Sequence, residues 1–148
     1  MDKMDKIDHK ILKILNKNAR TSFKKISQDI GLTSPAVKNR IEKMEQEGII
    51  KGYSLIVNKE NIGYTITAFI SIAVESHLKS EFFSFVDECP NIVECYGITG
   101  EYFALLKVHF ASTMDLENFL ISIQRFGETS TNIVLSMYKD SSGWIESL

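Results

Sequence analysis

The apolar residues of the first fifty positions recur with a helical period in three short segments. This spacing predicts three amphipathic helices that share one core. Asp5 is suited to cap the first helix, Gly31 to end the second and Gly48 to end the third. A tight Gly-Leu-Thr turn between the last two indicates a helix-turn-helix unit. The three apolar stripes are Ile7, Ile11, Ile14 and Leu15; Phe23, Ile26 and Ile30; and Val37, Ile41 and Met44.

The period changes from helical to alternating in the second half of the chain. The connecting segment IIKGYSLIVN has strand character, so we expect it to leave the helical unit as a connector or wing. Two later strands are predicted to meet at a tight turn at Thr99-Gly100. The predicted elements, in order, are strand TITAFISIAV, helix KSEFFSFVDEC, strands NIVECYGI and EYFALLKVHF, helix TMDLENFLISIQRF and strand TNIVLSMY.

This β-α-β-β-α-β order predicts a ferredoxin-like sandwich. The fold class is therefore α+β, with a helix-turn-helix (winged-helix-like) domain first and the sandwich second. The predicted boundaries are 1–50 for the helix-turn-helix domain, 51–63 for a strand or linker, and 64–148 for a ferredoxin-like dimerisation domain.

One face of the predicted sheet is too apolar for a monomer. Such a sheet packs helices on one face and leaves the other face polar if it is exposed to water. An exposed apolar face marks an association surface, so we expect two copies to dimerise sheet to sheet. The apolar residues predicted on this face are Phe69, Phe103 and Leu105, among Thr67, Ser71 and Lys107.

Charge is divided unevenly between the two halves. The whole chain has a formal net charge of -2 and a pI near 5.9. Up to residue 60, 13 Lys and Arg oppose 8 acids, a charge of +5. From residue 61 onward, 4 oppose 11, a charge of -7. A basic first half on an acidic second half indicates a nucleic-acid-binding module carried by another domain.

The third predicted helix exposes the residue types that contact DNA. Asn39 suits a bidentate contact with adenine, while Lys38 and Lys43 suit phosphate or guanine. Arg40 lies nearer the apolar stripe, where it either contacts a phosphate or supports the first helix. The alternative is a solvated ladder of Lys38/Glu42 and Lys43/Glu47 pairs, each worth about 0.2–0.5 kcal/mol.

The start of this helix also fits a DNA contact. Ser34 is predicted to cap it and Pro35 to occupy its first position. Ser34 and Ala36 are small enough to let the helix N-terminus approach a phosphate. The preceding turn and the charge division favour DNA binding over the solvated ladder.

Catalytic and metal chemistry find little support in the sequence. His9, His77 and His109 fall in three different elements without a second ligand or a paired carboxylate. Cys89 and Cys95 have no second pair, so we expect structural thiols and no metal or cofactor. With a charged N-terminus and no membrane span, a cytoplasmic, nucleoid-associated protein is expected.

The chain resembles the Lrp/AsnC (feast/famine) family of transcription regulators over nearly its whole length. The resemblance is carried by MDKIDHKILKIL, by NARTSFKKISQDIGLTSPAVKNRIEKMEQEGIIKGY and by ETSTNIVLS, in that order. It implies an N-terminal helix-turn-helix and a C-terminal ferredoxin-like RAM domain that dimerises and often builds octamers. Amino acids or related metabolites typically bind between dimers. The implied DNA-binding residues are Ser34, Pro35, Ala36, Lys38, Asn39, Arg40 and Lys43.

The implied effector turn is GITGEYFALL, with Gly97, Gly100, Glu101, Tyr102 and Phe103 as its site residues. Here the chain departs from the family, because many members have an acidic residue at the position of Phe103. A bound amino acid needs acceptors for its ammonium group, and Glu101 is the candidate for this role. The alternative is a tight β-hairpin that makes an apolar dimer contact at Phe103.

These observations predict a sequence-specific DNA-binding regulator without catalytic activity. Its expected partners are double-stranded DNA and further copies of itself, as a dimer and then a tetramer or octamer. The expected ligand is an amino acid or related metabolite. One alternative is an effector-independent, nucleoid-like DNA organiser, which Phe103 favours. The other is a small ferredoxin-like enzyme.

Overall fold

The computed structural model describes residues 4–140 and residue 145. The predicted domains 1–50 and 64–148 therefore extend in part (1–3, 141–144 and 146–148) outside the described residues. The chain divides into two compact units. One is Val57–Met137, and the other is the chain up to Ile56 together with the described residues from Tyr138 onward. The sheet unit ends at Met137, and the predicted domain boundaries stay a prediction.

Three helices form the first unit and confirm the predicted helix-turn-helix order. Asp5 caps the first of them, and Gly31 ends the second with a φ of 74°. Phe23 departs from its predicted inward position, since it is 42% exposed. The helices are α1 (Lys6–Lys17), α2 (Phe23–Ile30) and α3 (Ser34–Gln46). Their buried core consists of Ile11, Leu15, Ile26, Val37, Ile41 and Met44.

The second unit contains four strands and two helices. They are β1 (Ile66–Val74), α4 (Lys79–Glu88), β2 (Ile92–Gly97), β3 (Ala104–Phe110), α5 (Thr113–Ile123) and β4 (Gly127–Ile133), with single 3₁₀ turns at 60–62, 76–78 and 124–126. The strands form an antiparallel sheet in the order β2-β3-β1-β4, which confirms the ferredoxin-like topology. Alternate side chains of β1 and β3 are buried with Phe82 of α4 and with Leu116, Phe119 and Ile123 of α5.

The last strand lies earlier in the chain than predicted. TNIVLSMY, residues 131–138, was expected to form it, but β4 spans Gly127–Ile133. Its residues opposite the core positions Ile70 and Ile72 of β1 are Thr131 and Thr129. Threonine is β-branched and therefore fits a strand. Because it carries a hydroxyl, however, it does not count as apolar when inward positions are identified from the sequence.

The connector after α3 forms no strand over residues 51–58, in contrast to its predicted strand character. A strand needs the backbone of a neighbour, and no described segment of this chain pairs with residues 51–58. Tyr53 instead donates its hydroxyl to Glu45 Oε1 at 2.8 Å. Burial, together with this hydrogen bond, raises the pKa of Tyr53 to about 12. Leu55 and Ile56 are 86% and 90% exposed.

Gly127 at the start of β4 allows the two strands to approach closely, and we expect Gly127→Ala to destabilise the sheet unit strongly. A Cβ at this position would overlap the carbonyl oxygen of Ala73 in β1, and the φ of 151° is one that L-residues rarely adopt. The expected loss is at least about 3 kcal/mol of unfolding free energy, measured by urea denaturation.

Gly97→Ala is the matched control. A Cβ at Gly97 would meet nothing within 4 Å. Its stability should change by no more than about 0.5 kcal/mol. Equal losses in the two variants would contradict a steric requirement at Gly127.

Candidate nucleic-acid interface and effector turn

The start of α3 is held by two hydroxyl groups. Thr33, not Ser34 as predicted, caps the helix, because its Oγ1 accepts the N–H of Ala36 at 3.3 Å. Ser34 is the first helical residue, and Pro35 follows it. The Ser34 hydroxyl lies 3.2 Å from that of Ser27, a buried residue of α2. This hydrogen bond joins the two helices of the helix-turn-helix at the turn.

The side of α3 that faces away from the core carries the predicted base-reading residues. Lys38, Asn39 and Lys43 are exposed, whereas the apolar stripe of the same helix is buried. The predicted ladder is present, with Lys38 3.6 Å from Glu42 and Lys43 3.7 Å from Glu47. Both lysines remain more than half exposed. Such pairs are weak in water, so they leave both lysines available to a phosphate.

Arg40 has a different environment from the lysines on either side of it. Its Nη1 donates to Asp5 Oδ2 and to Asp8 Oδ1, each at 2.7 Å. The backbone N–H of Asp8, followed by the Arg40 guanidinium, lowers the pKa of Asp5. The hydrogen bonds that Arg40 donates to the carboxylates of Asp8 and then of Asp5 raise the pKa of Arg40. Of the two roles predicted for Arg40, the structure shows the support of the first helix.

Asn39, Arg40 and Lys43 line one cleft of about 510 Å³ between α3 and the start of α1. The N-terminal part of α1 therefore belongs to the same surface as the exposed side of α3. The other lining residues are Met4, Asp5, Asp8, Met44, Glu47 and Ile49.

Sequence reasoning missed three residues that shape this surface: Ser27, Thr33 and Asp8. The Asp-x-x-Asp spacing of residues 5–8 is a capping-box pattern and could have indicated Asp8. Thr33 and Ser34 are both good capping residues, and proline is tolerated at either of the first two helical positions, so the sequence did not separate them.

The predicted effector turn is longer than a tight hairpin. Strand β2 ends at Gly97 and β3 begins at Ala104, so residues 98–103 form the connection. It is closed by the N–H of Ile98, which donates to the carbonyl of Phe103 at 3.2 Å. Gly100 has a φ of 111°, which favours glycine. Glu101 is exposed and Tyr102 is half-buried.

Phe103 does not share a face with Phe69 and Leu105, in contrast to its predicted position on the sheet. Its ring packs against Phe82 and Phe83 of α4, with centroids 6.4 and 5.9 Å away, so it lies on the helix side of the sheet. Strand alternation begins only at Ala104, so it does not determine the direction of the preceding side chain.

The other two predicted interface residues lie on the open face. Phe69 and Leu105 alternate with the buried positions of β1 and β3 and are half-buried themselves. The strand register places Phe69 opposite Lys107 and Leu105 opposite Ser71. Tyr96 of β2 lies opposite Leu105 on the same face, so the face combines these apolar and aromatic side chains with polar ones.

Polar groups on this face are paired among themselves. Lys59 donates to the hydroxyl of Thr67, which also contacts Nδ1 of His109 at 3.1 Å. Burial, and then the charge of Lys59, lowers the pKa of His109. Lys107 pairs with Glu94 at 3.0 Å. Within the described residues, no group of three His, Cys, Asp or Glu side chains is placed to hold a metal ion, and no helix is long and apolar enough to cross a membrane.

A helix-turn-helix unit followed by a ferredoxin-like unit defines a class of two-domain DNA-binding proteins. Residues 4–51 match the family described as winged helix-turn-helix DNA-binding. Residues 67–144 match the Lrp/AsnC ligand binding domain. The chain therefore belongs to the Lrp/AsnC family of transcriptional regulators, as the sequence blocks predicted.

Individual relatives cover almost the whole chain. The HTH-type transcriptional regulator FL11 of Pyrococcus furiosus is 37% identical over 141 residues, 93% of each chain. LrpB of Bacillus subtilis is 37% identical over 124 residues, 84% of this chain and 83% of its own. The solved structure of LrpC of B. subtilis has a TM-score of 0.88 at 30% identity, covering 94% of this chain and 99% of that one.

We expect Phe103→Ala to destabilise the sheet unit through the loss of core packing. Its ring contacts the α4 aromatics and lies 4.3 Å from the ammonium of Lys79. The expected loss is about 2 kcal/mol, roughly half the cost at a fully buried site. The measurement is urea denaturation at several protein concentrations.

If Phe103 belongs to the core, the loss of unfolding free energy in Phe103→Ala does not depend on protein concentration. A loss that grows with concentration would instead support a position of Phe103 in a dimer interface. Glu101→Ala is the control in the same turn, because Glu101 is exposed. It should change stability by no more than about 0.5 kcal/mol.

Proposed function

We propose that the protein regulates transcription by inserting α3 into the major groove of double-stranded DNA. In this arrangement Asn39 contacts a base, and Lys38 and Lys43 contact phosphate or guanine. The observation that carries the proposal is the capped α3, whose exposed side presents these three residues beside the helix-turn-helix turn. The +5 charge of the first sixty residues supports it, since it attracts the phosphate backbone.

We also propose that the protein acts as a homodimer formed through the open sheet face. Phe69 and Leu105 would be covered there, and the internal pairing of the neighbouring polar groups leaves few of them unsatisfied. Two copies related by a two-fold axis need half-sites about 10 bp apart or a multiple of that spacing. Tetramers or octamers of such dimers would wrap or bend DNA, which favours flexible flanks.

The proposed regulation is binding of an amino acid or related metabolite near the turn of residues 98–103. The match of residues 67–144 to a ligand binding domain supports this, with Glu101 as the exposed acceptor for an ammonium group. We propose no cofactor and no catalytic role. We also propose that the protein is cytoplasmic and associated with the nucleoid.

The second candidate is a DNA organiser that needs no effector. The packing of Phe103 favours this second candidate. Many members of the family have an acidic residue at this position, whereas here the side chain packs against α4.

We expect Asn39→Ala to weaken binding to the specific site by about 1–3 kcal/mol and to relax base preference at one position. The reason is that alanine cannot make the bidentate contact. The measurement is a Kd series on the selected site and on its single-base variants, at fixed salt.

Lys43→Ala is the contrasting control for Asn39→Ala. It should weaken binding to all DNA and lower the slope of log affinity against log salt by about one. Unchanged affinity and preference in Asn39→Ala would contradict its base-reading role. An unchanged salt slope in Lys43→Ala would mean that Lys43 contacts no phosphate and only pairs with Glu47 in the solvated ladder.

We expect an L-amino acid or related metabolite to raise the melting temperature of the protein. A ligand at 100 times its Kd stabilises the native state by about 2.7 kcal/mol. The measurement is a thermal-shift screen of the twenty amino acids and their 2-oxo acids. Glu101→Ala should abolish the shift of an amino acid without altering the unliganded melting temperature. If no compound shifts it, the effector-independent organiser is supported instead.

A further inference from the structure

The capping box at the start of α1 uses only half of its carboxylate oxygens. Asp5 Oδ1 accepts the N–H groups of Ile7 and Asp8 at 2.7 and 2.9 Å, and Asp8 Oδ2 accepts the N–H of Asp5 at 3.0 Å. The two remaining oxygens, Asp5 Oδ2 and Asp8 Oδ1, both accept from Nη1 of Arg40. Nη1 of Arg40 therefore donates to both carboxylate oxygens that the capping box leaves free.

Within this junction the Asp5 side chain is half exposed, but the Arg40–Asp8 pair is better protected from water than the other ion pairs of α3. The side chain of Arg40 is 32% exposed and that of Asp8 is 17% exposed, whereas Lys38 and Lys43 are 55% and 59% exposed. The contacts of Arg40 are also shorter, 2.7 Å against 3.6 and 3.7 Å. Short, partly buried charge-assisted hydrogen bonds are stronger and are screened less by salt.

The junction lies next to the residues that face DNA in the proposed function. Asn39 precedes Arg40 in α3, and Lys43 follows it by three residues, so all three share the cleft beside the start of α1. Three buried apolar residues of α3 decide which side of the helix faces inward. Apolar packing is not directional, whereas hydrogen bonds to fixed carboxylate oxygens restrict the rotation of the helix more narrowly.

We propose that Arg40 is a positioning residue for DNA recognition and makes no phosphate contact of its own. By holding Asp5 and Asp8 it fixes the rotation of α3, and with it the direction of Asn39 and Lys43. This role rests on the function proposed above. It assigns to Arg40 a different task from that of the exposed lysines of the same helix.

Asp8→Asn in the full chain separates the two roles, because it weakens the junction while leaving Arg40 in place. The measurements are the Kd values for a selected specific duplex and for a random duplex of equal length, each over a salt series. Positioning predicts that the ratio of specific to random affinity falls roughly tenfold, as for the loss of one base contact. It also predicts an unchanged salt slope on random DNA.

A phosphate-contacting Arg40 predicts the opposite result. The released guanidinium would then tighten binding to both duplexes and steepen the salt slope by about one. Arg40→Gln is the second variant and covers the case in which Asp8→Asn does not fold. If Arg40 is a positioning residue, Arg40→Gln lowers the ratio of specific to random affinity and leaves the salt slope unchanged. If Arg40 contacts a phosphate, the same variant lowers the salt slope by about one. Circular dichroism verifies that each variant is folded.

Asp29→Asn is the matched control. It removes the same charge from α2, where Asp29 pairs with Lys25 at 2.8 Å and does not contact Arg40. The affinity ratio should stay at the wild-type value, and an equal fall in this variant would overturn the positioning role. If the wild type selects no duplex, the proposed function fails and the positioning role with it. If the wild type selects a duplex but neither variant lowers the ratio, only the positioning role fails.

Discussion

The helical unit must orient a DNA-facing helix with a very small core. Only six residues of its described part form the buried apolar cluster, and three of them belong to α3. A core of this size supplies stability but little angular precision. The precision comes from polar contacts at two points of α3: the Ser27–Ser34 hydroxyl pair at its start and the Arg40 junction at its middle. The geometry of the proposed reading surface depends on these directional contacts.

The sheet unit meets a different constraint, because β1, one of its two central strands, is paired on both edges. Every residue of β1 must then point either toward the helices or toward the open face, and Gly127 must admit a neighbouring backbone. The helix side is filled by aromatic rings, including that of Phe103 from outside the strands. Of the three predicted interface residues, the open face keeps Phe69 and Leu105, and the ring of Tyr96 lies opposite Leu105.

The sequence predicted an element correctly where the spacing of its apolar residues repeats several times. The prediction failed where a single residue determines a strand position, a side-chain direction or a helix cap. The stripes of α1 and α3 and the alternation of β1 predicted their elements because each repeats over several turns or pairs. Strand β4 was misplaced because its inward residues include Thr129 and Thr131, which do not register as apolar. The direction of Phe103 and the choice of Thr33 as cap depend on local backbone geometry. Neither is encoded in a pattern of apolar and polar residues.

The assignment of Arg40 to the α1 junction changes how many cations α3 offers to DNA. Lys38 and Lys43 remain, and each is already loosely paired with a glutamate. Each neutralised phosphate contributes a salt slope of only about 0.9, so two lysines from one α3 give weak binding with a small salt slope. In the proposed dimer, a second copy would double these contacts and add a second Asn39. The sparse charge of α3 and the apolar residues on the open face of the sheet therefore both support the proposed homodimer.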